Sequence, residues 1–177
     1  MKKRNVNLGF TLIELLVTVA IAAVLLSVAA PSFTNLISAN NADNATARLA
    51  NIFAYARSEA VVRAQDVRVC ASTDGNACNG ANDTDWANWW RVEIVAGGTL
   101  LKVENISSLA VGFEVTDNSD DPDTAADESN DLNNLTAVCF DQFGVECNGL
   151  FPYVIFTATS NGQISSKRLY SSGSVSL

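Results

Sequence analysis

Histidine is absent from the sequence. That removes the side chain most often used as a general acid or base near neutral pH, and the commonest metal ligand. Serine–histidine and cysteine–histidine nucleophile pairs are thereby excluded. Basic residues are few: 11 Lys and Arg stand against 19 Asp and Glu, a net charge of −8. Nucleic acid is not the default partner of such a chain, because phosphates need clustered Lys and Arg. Cysteine is limited to Cys70, Cys78, Cys139 and Cys147, with no C-x-x-C pair, and no His could complete a zinc site. Asp141, Glu146 and Lys167 could be imagined as catalytic, but nothing in the sequence pairs them and no cofactor motif accompanies them. The sequence therefore points away from an enzyme, a metal, a cofactor or a small-molecule substrate.

What is present is a lopsided distribution of apolar residues. From Phe10 to Ala30 the only polar residues are Thr11, Glu14, Thr18 and Ser27. As a helix this run would rise about 31 Å, matching a hydrocarbon core of roughly 30 Å. Lys2, Lys3 and Arg4 before it would hold its start on the cytoplasmic side. A cleavable secretory signal is the competing reading, with Ser27-Val28-Ala29 as a small-x-small site. The run is longer than the usual 7–15-residue signal core, and a plain signal gains nothing from Glu14. Either way the chain after it is exported, and four cysteines in two evenly spaced pairs read as disulfides in an oxidising compartment. Equal gaps suggest Cys70–Cys78 and Cys139–Cys147; the rival is Cys70 with Cys139 and Cys78 with Cys147.

Gly9-Phe10-Thr11-Leu12-Ile13-Glu14-Leu15-Leu16 resembles the type III signal of prepilins. The resemblance implies cleavage between Gly9 and Phe10 and N-methylation of Phe10 by a prepilin peptidase. It also makes Glu14 the family's assembly carboxylate, set to pair with an amino terminus, and Pro31 its helix-kinking proline. Removal of residues 1–9 would leave a net charge of −11. The expected parts are a leader at 1–9, the membrane and filament-core half of a helix at 10–34, and a periplasmic or extracellular domain at 35–177.

The fold class expected is α+β: one long helix, then a mostly antiparallel sheet. Nothing breaks the pattern strongly between Pro31 and Asp66. Ala45, Leu49, Ile52, Phe53, Ala56, Ala60 and Ala64 fall in one arc at 100° per residue, opposite Asn51, Ser58 and Gln65. Two helices meeting near Asn40-Asn41 are the alternative. Strands are expected at Val67–Cys70, Trp89–Val95, Leu100–Glu104, Val111–Val115, Val138–Phe140, Val154–Thr159, Ile164–Leu169 and Ser174–Leu177. Gly97-Gly98 and Asn161-Gly162 read as turns. Trp86 and Trp90 are expected in the core, while Trp89 could face a neighbouring subunit. Between Glu114 and Asp131 lie eight acidic residues and no basic one. A solvated loop accounts for them; a calcium site is the sharper alternative, without EF-hand spacing.

Val69-Cys70-Ala71-Ser72, Cys78, Asp85-Trp86 and Trp89-Trp90-Arg91-Val92 resemble the GspH/FimT (FimU-like) family of minor pilins and pseudopilins. So does Cys139-Phe140-Asp141-Gln142-Phe143-Gly144, an aromatic-x-x-x-glycine turn. The resemblance implies a minor pilin of a type IV pilus that helps initiate assembly near the tip, or a minor pseudopilin of type II secretion. The partners it implies are other minor and major pilins or pseudopilins, the peptidase, and the bacterial inner membrane before assembly. A DNA-binding FimT-like role is disfavoured: the tail Ser172-Gly173-Ser174-Val175-Ser176-Leu177 has serines where those relatives carry arginines. Lys167 and Arg168 are the only basic pair nearby.

Overall fold

This computed structural model describes residues 10–78, 86–117, 137–147, 153–170 and 172–176, with backbone alone at 28–31 and 114–117. One helix, α1, runs from Leu12 to Arg63 without interruption at Asn40-Asn41. The chain divides into two compact units, Met1–Ile37 and Ser38–Leu177. In the first, every described side chain from Phe10 to Ile37 is exposed. In the second, Ala42, Ala45, Leu49, Ile52, Phe53, Ala56 and Ala60 form one buried face, spaced as a helix lying on a core requires.

Ala64 departs from the expected face. The helix ends at Arg63, and Ala64 takes a left-handed φ of 51°. Gln65 N–H donates to Ala60 O and Ala64 N–H to Val61 O, which satisfies two terminal carbonyls and turns the chain into the first strand. Ala64 is therefore exposed, past the end of the periodicity.

The expected single sheet is two among the described residues. One has the order β3-β2-β1-β5, built from β1 (Val67–Ser72), β2 (Trp89–Ile94), β3 (Leu100–Asn105) and β5 (Ala137–Phe140). The other has the order β4-β6-β7-β8, built from β4 (Gly112–Asp117), β6 (Tyr153–Ser160), β7 (Gln163–Tyr170) and β8 (Val175–Ser176). Every pairing is antiparallel. The first sheet stops at β5 because the chain folds back on that strand's free edge. Phe140 bridges Glu146, Asp141 N–H donates to Val145 O, and Cys147 N–H to Cys139 O. An edge filled this way accepts no further strand. Between β6 and β7, Asn161 and Gly162 both have positive φ, 46° and 77°, the geometry a two-residue hairpin needs.

Phe53 of α1 joins both sheets in one core. Its ring lies 4.9 Å from Phe156 of β6, 6.3 Å from Phe140 of β5 and 6.3 Å from Trp86. Trp90 packs edge-on against Phe113 at 5.7 Å. Trp86 and Trp90 are thus core residues. Trp89, half-buried on the opposite face of β2, is covered by the chain itself: a side chain at Gly75 would come within 3.0 Å of its ring.

Candidate assembly segment and disulfide loops

The first unit opens with Phe10, 84% exposed, followed by Thr11 at the helix N-cap. Glu14 N–H donates to Thr11 Oγ1 (3.3 Å), while Thr11 N–H and its hydroxyl reach back to Glu14 Oε2 (3.4 Å each). This reciprocal arrangement is a capping box, which satisfies donors that the first helical turn leaves unpaired. It also fixes the carboxylate at the positive end of the helix dipole. The Thr-x-x-Glu spacing announces it in the sequence, where the prepilin resemblance assigns Glu14 to assembly and not to a cap. The helix that follows carries a stretch long and apolar enough to cross a membrane, and none of its described side chains is buried. Gly9 lies outside the described residues. The helical backbone continues through Pro31, whose side chain is also outside them.

In the second unit both cysteine pairs close locally, Cys70 with Cys78 and Cys139 with Cys147, at Cα separations of 5.5 and 5.3 Å. The first loop lies over the outer face of β1 and β2. Gly75 N–H donates to Ser72 Oγ (2.9 Å) and Asn76 N–H to Asp74 Oδ1 (2.8 Å). The Asn76 backbone, then its side-chain amide, holds the Asp74 carboxyl below the usual carboxylate value. Beneath the loop sits a buried charge cluster. Glu93 accepts from Arg91 of its own strand and from Arg68 directly opposite on β1. Arg91 also donates to Gly75 O and Gly98 O at 3.3 Å each. Burial alone would raise the Glu93 carboxyl; the bonds and charges of Arg91 and Arg68 outweigh it, so the pKa falls.

The second loop is held by Asp141, whose Oδ1 accepts from Phe143 N–H (2.8 Å) and Val145 N–H (3.0 Å). The aromatic-x-x-x-glycine turn separates two duties. Phe140 enters the core. Gly144, at φ 73°, lies so close to α1 that an added Cβ would meet Arg57 at 3.0 Å and Val61 at 3.1 Å.

Asp141 and Glu146 belong to this loop, whereas Lys167 lies on β7 of the other sheet, beside Thr46 and Leu49. The three candidate catalytic residues do not form one site. Among the described residues no cluster of metal-ligating side chains occurs. The calcium candidate between residues 114 and 131 falls outside the described side chains. Lys167 and Arg168, being neighbours on a strand, point to opposite faces; Arg168 lies over the Tyr153 ring at 5.6 Å. The basic pair is therefore not a patch.

A long helix, apolar and uncovered behind a Thr–Glu cap and then packed on antiparallel sheets, defines a pilin-like protein. The chain belongs to the family described as type II transport protein GspH, whose model matches residues 45–176. The prokaryotic N-terminal methylation motif matches residues 4–30. A crystal structure of the type IV minor pilin FimU from Pseudomonas aeruginosa is similar at 17% identity and a TM-score of 0.55, covering 78% of this chain and 88% of that one. A second FimU crystal form gives 17% identity and a TM-score of 0.52, covering 76% and 90%. These likenesses show the fold. No curated protein matches the chain. The protein is a minor pilin or pseudopilin of a type IV pilus or type II secretion system, a structural and non-enzymatic subunit. Membership implies processing by a prepilin peptidase and assembly with other pilins, from a state consistent with an inner-membrane prepilin.

Proposed function

We propose that this chain is a minor pilin of a type IV pilus that helps initiate assembly and sits near the tip, supporting twitching motility, adhesion or DNA uptake by the filament. The observation that carries the proposal is the first half of α1. An apolar surface exposed on all sides requires lipid before assembly and other helices after it. Cleavage between Gly9 and Phe10 and methylation of Phe10 would place a cationic amino terminus one residue before the capping box. The parts are then a leader at 1–9, a membrane and filament-core segment at 10–34, in which Pro31 bends the helix, and a periplasmic or extracellular domain at 35–177.

Glu14 is the assembly residue in this reading. A carboxylate inside an apolar span costs roughly 2.5–3.5 kcal/mol near the bilayer centre and less near an edge. Its capping donors, the Thr11 N–H and hydroxyl, are neutral groups and supply no opposite charge. The amino terminus of an adjacent subunit is the cation that would neutralise it. Glu14→Ala should still be inserted and cleaved yet be missing from sheared filaments. Recovery in filaments equal to wild type would remove this role. Intact mass should begin at N-methylated Phe10; a start near Ala30 would mean an ordinary secretory signal.

A minor pseudopilin of type II secretion is the second reading, favoured by the description of the matching family. Mass spectrometry of sheared pili separates the two. Autonomous DNA binding is not proposed, since the net charge is −8 and Lys167 and Arg168 diverge.

A further inference from the structure

Among the described residues of the second unit, an Asp or Asn precedes a glycine in two turns, Asp74-Gly75 and Asn161-Gly162. Such a pair carries a latent reaction. The glycine nitrogen can attack the side-chain carbonyl carbon of the residue before it, and glycine has no side chain to hinder the approach. In Asp74-Gly75 both reacting groups are occupied. Gly75 N–H donates to Ser72 Oγ at 2.9 Å. The Asp74 carboxylate accepts from the Asn76 N–H at 2.8 Å and from the Asn76 side-chain amide at 2.9 Å. These bonds also keep the carboxyl ionised, which makes it a poor acyl group. Gly75 is buried, and an added Cβ there would lie 3.0 Å from Trp89 and from Val103, so the turn has no room to rearrange.

Asn161-Gly162 has none of these restraints. Both residues are exposed at the tip of the β6–β7 hairpin. An added Cβ at Gly162 would meet nothing within 4 Å. Among the described residues neither the Gly162 N–H nor the Asn161 side chain makes a hydrogen bond. We propose that Asn161 is a site of spontaneous covalent modification, deamidating through a succinimide in the folded protein, while the bonded Asp74-Gly75 turn stays unreacted. The Gly162 nitrogen gives up its proton and forms a bond to Asn161 Cγ, and Nδ2 leaves as ammonia. Water then opens the ring at one of its two carbonyls. The net change consumes one amide and one water and yields one carboxylate and one ammonium. Opening at Cγ leaves aspartate, which tolerates the left-handed φ of 46°. Opening at the main-chain carbonyl leaves isoaspartate, which adds one carbon to the backbone of a two-residue connection. The pairs Ser160–Gln163 and Thr159–Ile164 then lose their register. Either product makes the chain one charge more negative than −8.

The test uses the full chain purified in detergent. It is incubated at neutral pH and physiological temperature, folded and, in parallel, unfolded in urea. Peptides are mapped by mass spectrometry with fragmentation that separates aspartyl from isoaspartyl residues. In the folded chain residue 161 should convert to both products. Asp74 should form isoaspartate at least about tenfold more slowly folded than in urea, the factor expected when a hydrogen bond must break first. Asn161→Asp should melt with the wild type, whereas aged wild type carrying isoaspartate at 161 should melt lower. An intact Asn161 amide in the folded chain, once the same peptide has converted in urea, overturns the proposal. Isoaspartate at Asp74 forming as fast in the folded chain as in urea overturns the contrast between the two turns. A lower melting temperature for Asn161→Asp removes the special role of the isoaspartyl backbone.

Discussion

The two halves of α1 share one hydrogen-bonding pattern and differ in what surrounds them. Up to Ile37 the described side chains are exposed on every side and mostly apolar. From Ser38 onward one face is closed by the two sheets while Asn51 and Ser58 remain in water on the other. Backbone propensity does not separate the halves, since both are helical. The pattern of burial does: a helix apolar all round needs a nonaqueous surrounding, whereas a one-sided helix needs a core. In the function proposed above, assembly falls to the first half and folding of the domain to the second.

The comparison breaks most readily at Phe53. Phe53→Ala should destabilise the second unit by about 3–5 kcal/mol, read from urea unfolding, because the ring touches Phe140, Phe156 and Trp86. Leu16→Ala in the first half should change that transition by less than about 0.5 kcal/mol. Similar effects from the two substitutions would erase the distinction.

The second half is only as fixed as the sheet beneath it. Glu93→Gln should cost roughly 3 kcal/mol at neutral pH, since it leaves two guanidinium groups without their carboxylate. The folded-state pKa of Glu93 is lowered, so its stabilisation is present above the unfolded value of about 4.3 and lost as pH falls through the folded one. The gap between wild type and variant should therefore narrow in acid. A gap that widened below pH 4 would contradict the ion cluster.

The helix ends sharpen the contrast on a smaller scale. Thr11→Val should cost about 1 kcal/mol, confined to the first turn and read as faster amide exchange at Ile13 and Glu14 in detergent. Ala64→Gly should stabilise the second unit by about 0.5–1 kcal/mol, because glycine takes the left-handed φ without strain. Destabilisation at Ala64 would mean that its methyl group packs in a way its exposure does not suggest.

Much of this is legible in the residues. Regular periods reveal α1 and the strands: Leu49, Ile52, Phe53 and Ala56 mark the helix, and Val67, Val69 and Ala71 mark β1. The division into two sheets is not legible, because it depends on Cys147 and Val145 returning to the edge of β5, a pairing no local period encodes. Arg91 and Glu93 alternate with Val92 and Ile94 and so read as solvent-facing, yet both are buried under the 72–78 loop. Cys70 was the available signal, since a disulfide on the face away from the core must bring covering chain with it.

That covering loop has a consequence for export. Four cysteines permit three fully bridged pairings. Ser72, Asp74 and Arg91 bond to the backbone between Cys70 and Cys78, so those interactions favour the turn independently of the covalent link. A thiol held near its partner reacts at an effective concentration that a distant cysteine cannot match. The choice among pairings is then made by hydrogen bonds inside the loop and from Arg91 beneath it, and the oxidising machinery is left only to remove the electrons.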